Sequence, residues 1–145
     1  MADILVSELL GSFGDNELSP ECLDGAQRFL RQEGGISIPC DYTSFVAPVS
    51  TPKLWQQING CEQRDKLETP YVVRLWNYVQ LAPTQPCFKF EHPRVVSADA
   101  TESSDSRSTQ ERTGNRRFGS LRFDNLTVSS TLHGFAGFFE STLFD

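Results

Sequence analysis

Long hydrophobic runs are absent from this 145-residue sequence, and no apolar stretch approaches the roughly 20 residues of a membrane-spanning helix. The start, Met1–Asp3, lacks the basic region and apolar core of a secretory signal. Basic residues are also few, since 13 Lys and Arg stand against 19 Asp and Glu, a formal net charge of −6. Nonspecific nucleic-acid binding needs clustered positive charge. We therefore expect neither a membrane association nor direct nucleic-acid binding.

Closely spaced zinc-ligand pairs are also missing. The two histidines, His92 and His133, are scattered, and the four cysteines lie at least 18 residues apart. These are Cys22, Cys40, Cys61 and Cys87. No spacing among the cysteines matches a zinc motif, so we expect no metal site. We expect all four thiols to be reduced and packed, as in a protein of the cytoplasm or nucleus.

The beginning of the chain reads as a strand, a loop and a helix. Residues 3–10 open with an apolar run that does not alternate, which is typical of a strand covered on both faces in a parallel sheet. The loop that follows, Gly11–Asn16, contains two glycines. In α/β sheets, a loop at the carboxyl end of a strand is where ligands bind.

The helix is indicated by its first turn and by its apolar spacing. Ser19 is a good N-cap, and Pro20 and Glu21 favour the first turn. Three or four residues separate the members of one apolar stripe, which predicts a buried face. The stripe consists of Leu23, Ala26, Phe29 and Leu30, and Gly34-Gly35 is expected to end the helix.

After Pro39 the sequence becomes rich in β-branched and aromatic residues. Tyr42–Val49 reads as extended, and a short helix is predicted from Pro52 through Ile58. Four later segments read as strands: Tyr71–Leu81, Cys87–Glu91, Ser120–Phe123 and Thr131–Asp145. Two polar segments do not fit this pattern: Glu62–Glu68, which we expect to be exposed, and Ser97–Gly114, which we expect to be a disordered insertion.

The predicted fold class is therefore an α/β fragment followed by a mostly antiparallel β-barrel or sandwich portion. The strand predicted at residue 3 has the pattern of one that is covered on both faces, and an aromatic strand is predicted up to the last residue. Such strands normally have neighbours on both sides. We therefore expect both ends of the sequence to fall inside domains.

Two carboxylates flank the glycine-containing loop. Glu8 and Glu17 would point into one space if the loop folds back as a hairpin. Paired carboxylates can share a proton, hold a hard metal or clamp a cation. A guanidinium suits the clamp, because it is planar and offers five N–H donors to paired carboxylate oxygens. From spacing alone, the favoured interpretation is one helix-capping glutamate and one solvated loop glutamate.

The whole segment Ser7–Gly25, SELLGSFGDNELSPECLDG, closely resembles the "double-E" loop of the type II protein arginine methyltransferases, which make symmetric dimethylarginine. The likeness covers nearly the whole chain except Ser97–Gly114. It continues through Ile38-Pro39, Tyr42–Phe45, Ala47-Pro48, Pro70–Leu75 and Leu132–Gly137.

This resemblance implies that Glu8 and Glu17 grip a substrate arginine while S-adenosylmethionine donates the methyl group. It also implies that backbone at Leu10 helps to line the arginine channel. Residues 1–37 would end the Rossmann-like methyltransferase domain, whose donor-binding loop precedes this sequence in the family. Residues 38–145 would begin the β-barrel that takes part in oligomerisation.

The partners that the resemblance implies are arginine-containing protein substrates and further copies of the full-length protein. A WD-repeat adaptor would bind through an N-terminal domain that this sequence does not contain. The expected location is the cytoplasm and nucleus. The alternative function is a non-catalytic assembly module, in which the barrel portion mediates self-association.

Overall fold

A single long strand, β3 (Asp41–Ser50), organises the sheet in the computed structural model, which describes residues 1–60, 65–94, 115 and 117–145. Strand β6 (Gly134–Thr142) pairs antiparallel with β3 from Asp41↔Thr142 to Val49↔Gly134. Strand β5 (Gln85–Glu91) pairs antiparallel with the first part of β3, and the two-residue strand β4 (Val79–Gln80) with its last two residues. Because β5 and β6 both pair with the first part of β3, they occupy its two opposite edges.

The first segment of the chain forms a small parallel unit. Strand β1 (Ile4–Val6) pairs with β2 (Ile36–Ile38), and the helix α1 (Ser19–Ala26) lies between them in sequence. The predicted fold class, an α/β segment followed by mostly antiparallel sheet, is confirmed. No helix in the described ranges is long and apolar enough to cross a membrane.

Helix α1 begins differently from the sequence prediction. Its N-cap is Leu18, which has a left-handed backbone with φ 63°, and no side chain caps the helix. Ser19 lies inside the first turn and is buried, so the prediction that it caps the helix is wrong. The Cys22 N–H donates to the Leu18 carbonyl, and this bond closes the first turn.

The end of the helix also differs. A 3-10 turn, Gln27–Phe29, follows α1 directly, and the helical segment ends there rather than at Gly34-Gly35. Leu23 and Leu30 are buried as predicted, but Phe29 is 60% exposed. A 3-10 helix has three residues per turn instead of 3.6, which rotates Phe29 away from the buried stripe.

Gln27, directly after α1, connects this helix to the segment that follows β5. The Gln27 side-chain N–H donates to the Arg94 carbonyl at 2.6 Å, and the Arg94 N–H donates back to the Gln27 side-chain oxygen at 2.9 Å. Arg94 also forms an ion pair with Asp24 of α1 at 3.4 Å. These contacts join residues 67 and 70 positions apart and hold α1 beside the end of β5.

The core is built around β3 and the strands beside it. Tyr42 and Phe90 are opposite each other in the β3–β5 register, and their rings stack with centroids 4.9 Å apart. Both side chains are buried. Smaller buried residues complete the core: Ala47, Val49, Leu81, Ala82 and Ala136.

Several predicted strands are shorter than expected or do not form. Of Tyr71–Leu81, only Val79–Gln80 is a strand, and Ser120–Phe123 contains none. Gln85–Glu91 and Gly134–Thr142 confirm the other two predictions within a few residues. The part of Glu62–Glu68 that the structure describes, α3 (Asp65–Glu68), is a short exposed helix. The predicted insertion at Ser97–Gly114 lies outside the described residues.

The predicted second helix is present as α2 (Pro52–Asn59), and a distant histidine lies at its start. The Thr51 N–H donates to His133 Nδ1 at 3.2 Å, and the Ser50 hydroxyl lies 3.1 Å from the same nitrogen. The Ser130 hydroxyl donates to Ser50 Oγ at 3.1 Å. His133 is thus a packed residue that ties β6 to the start of α2.

The cysteines in the described residues are free thiols. Cys40 and Cys87 are partly buried, but Cys22 is exposed on α1, which contradicts the prediction that it is packed. Cys61 lies outside the described residues.

A buried histidine makes the stability of the fold dependent on pH. His92 is buried against Tyr42, and neither ring nitrogen has a hydrogen-bond partner in the described part of the chain. Burial lowers the pKa of His92 below its ordinary value of 6.5, with the Arg94 charge adding to this effect and Asp24 opposing it. The native state therefore holds His92 neutral under conditions that protonate it in the unfolded chain.

We expect the free energy of unfolding to fall as the pH drops below about 6.5, because the unfolded state then binds a proton that the native state does not. The loss should level off below the lowered native pKa. Urea denaturation between pH 5 and pH 7.5 measures it. His92→Phe keeps a stacked ring without a titrating nitrogen, and its stability should depend less on pH over this range. An unchanged dependence in the variant would contradict the assignment to His92.

Candidate functional site

A tight turn reverses the chain midway between the two candidate glutamates. The Gly11 N–H donates to the Gly14 carbonyl at 3.2 Å, and the Gly14 N–H donates back to the Gly11 carbonyl at 3.1 Å. The Asn16 side-chain oxygen accepts the Phe13 N–H at 2.7 Å and lies where a Cβ on Gly11 would stand. A larger residue at Gly11 would displace the Asn16 side chain from this hydrogen bond, and Gly14 has a positive φ of 92°, which favours glycine.

Glu8 and Glu17 lie on the two arms of this turn. Glu8 is three residues before Gly11 and Glu17 three residues after Gly14, so the two glutamates flank the bridge between these glycines symmetrically in sequence. Both side chains are exposed. Neither carboxylate has a hydrogen bond or an ion pair with any residue that the structure describes. Leu10, directly before the turn, is partly buried.

The turn rests on the antiparallel sheet. The Ser44 hydroxyl, in the middle of β3, donates to the Phe13 carbonyl at 2.7 Å. The Phe13 ring lies against the backbone of Gly137 on β6, and Gly14 lies against the Tyr42 ring. The sequence alone does not identify Ser44, Tyr42 or Gly137 as contacts of the loop, because they are 28 or more residues away from it. Their only signal is that they fall within motifs shared with the methyltransferases.

The carboxyl group of Asp15, beside the turn, is partly withdrawn from water. Burial raises its pKa, and the nearby Glu21 carboxylate raises it further, while its own backbone N–H and the Arg117 guanidinium act in the opposite direction. Arg117 itself lies over the Phe90 ring, with its central carbon 4.7 Å from the ring centre. A cation in this position is attracted by the face of the ring.

The Tyr42 phenol is held in its neutral form. Burial raises its pKa to about 12, and the Asp15 and Glu21 carboxylates add to the effect, whereas Ser19 and Arg117 oppose it. A phenol with this pKa does not act as a base near neutral pH. Tyr42 therefore contributes a packing surface beneath the turn rather than a titrating group.

An apolar groove of about 260 Å³ adjoins the tip of the turn at Ser12. It is lined by residues of α2, of the segment after α3 and of the start of β6, among them Trp55, Tyr71, His133 and Phe135. Within the described residues there is no cluster of three or more His, Cys, Asp or Glu side chains that could hold a metal ion.

Comparisons with known proteins agree for both parts of the chain. Residues 41–145 match a family described as the PRMT5 oligomerisation domain, and residues 1–38 match one described as PRMT5 arginine-N-methyltransferase. The class indicated by the loop and the fold is thus the protein arginine methyltransferases, and the predicted resemblance is confirmed. Within this class, the chain belongs to the PRMT5 family.

Individual relatives show the same likeness over nearly the whole chain. It is 46% identical over 148 residues to protein arginine N-methyltransferase 5 of Xenopus laevis, covering 99% of this chain and 21% of the relative. It is 48% identical to the protein of the same name from indica rice, covering 99% of this chain and 20% of the relative. The Schizosaccharomyces pombe protein arginine N-methyltransferase skb1 is 44% identical, with coverage of 98% and 22%. The chain thus spans about a fifth of the length of these relatives.

Proposed function

We propose that this chain supplies the arginine-gripping loop of a protein arginine methyltransferase that makes symmetric dimethylarginine. Glu8 and Glu17 bind the substrate guanidinium, and backbone at Leu10 helps to line its channel. The observation that carries this proposal is the Gly11–Gly14 turn, which reverses the chain midway between the two glutamates. Family membership supports it as well.

The two carboxylates suit a guanidinium in charge and in availability. Both are exposed, and neither is neutralised by another described residue, so they can accept the N–H groups of an incoming arginine. By accepting hydrogen bonds from some nitrogens, they draw positive charge toward these and leave the remaining nitrogen with more lone-pair density. Holding that nitrogen in a fixed direction lowers the barrier to methyl transfer.

S-adenosylmethionine is the methyl donor that family membership implies, and when bound it supplies an electrophilic methyl group. We assign no described residue of this chain to binding it. The proposal accordingly concerns the arginine side of the reaction: binding, charge and orientation of the guanidinium.

The antiparallel portion supports a second role in assembly. Residues 41–145, most of the chain, match the oligomerisation domain, which indicates self-association of the full-length protein. We propose that residues 1–37 complete the methyltransferase domain and that 38–145 begin the barrel. A WD-repeat adaptor, bound through another domain, and a location in cytoplasm and nucleus are part of the same proposal. The competing function is a non-catalytic assembly module.

A chimera tests the proposal directly. In it, this chain replaces the matching fifth of the Xenopus laevis relative, and the product is assayed for symmetric dimethylarginine on an arginine-rich peptide. We expect the chimera to methylate at a rate comparable to that of the frog protein. A folded, oligomeric chimera without activity would instead favour the assembly module. A chimera that makes only asymmetric dimethylarginine would contradict the proposed product.

A further inference from the structure

The contacts beneath the turn point to two positioning residues outside the loop. We propose that Ser44 and Gly137 fix the place of the Gly11–Gly14 turn, and through it the separation and direction of Glu8 and Glu17. The inference rests on the proposed function of the two glutamates. Neither Ser44 nor Gly137 touches the substrate in this proposal, since each acts through Phe13.

Ser44 binds the tip of the turn with a fully buried hydroxyl. It is 0% exposed, and the hydroxyl donates to the Phe13 carbonyl at 2.7 Å. The Phe13 N–H is bonded to Asn16, so both backbone polar groups of Phe13 are held by side chains, one from the loop and one from the sheet. The β3–β5 register shifts immediately after Ser44, between Ser44 and Phe45. Such irregularities redirect side chains locally and are frequent next to functional sites.

Gly137 leaves the space that the Phe13 ring occupies. It lies opposite Val46 in the β3–β6 register. A Cβ at this position would be 2.6 Å from Phe13 Cδ2 and 2.9 Å from Cε2, closer than atoms of this kind approach. Any other residue at 137 would therefore displace Phe13 or move β6. This contact gives a physical reason for glycine in the middle of a strand that contains three phenylalanines.

The turn is also closely packed at Gly14, against the Tyr42 ring. A Cβ there would be 3.0 Å from Tyr42 Cδ2, and the Tyr42 ring is itself stacked on Phe90. The turn thus contacts the antiparallel sheet at Ser44, Gly137 and Tyr42, of which Ser44 and Tyr42 are buried. The two glutamates, by contrast, are exposed and have no described partner of their own. In this proposal, the turn therefore sets the positions of the two glutamates.

The contacts also cross between the two matched regions. Phe13 and Gly14 lie within residues 1–38, which match the methyltransferase family, whereas Ser44 and Gly137 lie within residues 41–145, which match the oligomerisation domain. A residue of the oligomerisation domain consequently sets the geometry of the arginine site. This links the sheet to the rate of the reaction rather than to assembly alone.

Hydrogen exchange on the 145-residue chain tests the anchoring itself. Ser44→Ala should increase amide exchange of Gly11 and Gly14 about fivefold or more, because removal of one buried hydrogen bond loosens the turn by that factor. Ser50→Ala is the matched control. Ser50 is also a buried serine of β3, but its hydroxyl lies 3.1 Å from His133 Nδ1 and does not contact the turn. It should leave both glycine amides unchanged. Equal exchange in the two variants would overturn the anchoring role.

Kinetics of the chimera test whether the anchor serves the reaction. Ser44→Ala should lower kcat about fivefold without changing the affinity for S-adenosylmethionine, and Ser50→Ala should lower neither. Gly137→Ala should lower kcat further, and adding Phe13→Ala should recover part of that loss by removing the clash. Normal kcat in Ser44→Ala and Gly137→Ala would overturn the positioning role.

Including Glu17→Gln in the same assay separates this inference from the proposed function. If Glu17→Gln is inactive while Ser44→Ala is fully active, only the positioning role fails. If Glu17→Gln is itself fully active, the guanidinium clamp fails, and the positioning role fails with it.

Discussion

Glu17→Gln in the chimera is expected to lower kcat for arginine methylation about 10²- to 10³-fold, the range seen when a preorganised charge-stabilising group is removed from an active site. Glutamine has nearly the same shape but carries no charge. One of its two terminal groups is an N–H donor, which faces the N–H donors of the guanidinium instead of accepting them. Both the charge and one hydrogen bond of the clamp are therefore lost.

Three comparisons make this result specific. Glu8→Gln should have a similar effect, because the two glutamates act on one guanidinium. Glu21→Gln is the control, since Glu21 is an exposed carboxylate at the start of α1 and has no proposed contact with arginine. Binding of S-adenosylmethionine, measured by calorimetry, should be nearly unchanged in all three variants. Normal methylation by Glu17→Gln would contradict the clamp.

Phe90→Ala is expected to destabilise the chain by about 3–5 kcal/mol, the usual cost of removing a buried aromatic ring. Phe90 is 2% exposed, its ring stacks on Tyr42, and the Arg117 guanidinium lies over the same ring. Loss of the ring therefore leaves a cavity beside Tyr42, beneath the turn. For a chain of this size the change corresponds to a drop in Tm of about 10 °C. Thermal unfolding followed by circular dichroism measures it.

The control for this prediction is a phenylalanine outside the core. Phe144 is 63% exposed, and Phe144→Ala should change Tm by far less than Phe90→Ala. Similar drops in the two variants would show that the Tyr42–Phe90 stack does not hold the sheet together. The hydrogen exchange of Gly14 should also rise in Phe90→Ala, because Gly14 lies against the Tyr42 ring.

The sequence predicts strands well only where a partner strand is present. Gly134–Thr142 pairs with β3 along its whole length, whereas Tyr71–Tyr78 has the same β-branched and aromatic composition but forms no ladder in the described structure. Composition reports how well a residue fits a pleated surface, and the hydrogen bonds of a strand require a neighbour that composition does not reveal. The short helix α2, whose signals are local, is found within one or two residues of its predicted bounds.

The candidate site divides in the same way. The turn and its two glycines are local in sequence, and residues 7–25 are enough to predict a glycine-containing loop there. The role of Glu8 and Glu17 stays a prediction. The contacts that hold the turn against Ser44 and Gly137 join residues that are 31 or more positions apart in the sequence. Similarly, the exposure of Phe29 follows from a change to 3-10 geometry that the apolar spacing does not show.

The hydrogen bonds at the start of α2 decide which tautomer His133 adopts. A backbone N–H can only donate, so the Thr51 N–H directed at Nδ1 requires a lone pair on that atom. In the neutral ring the proton then resides on Nε2. His133, whose second ring nitrogen is thus a donor, is one of the polar residues that line the groove beside the turn, together with Ser12, Thr69 and Tyr71.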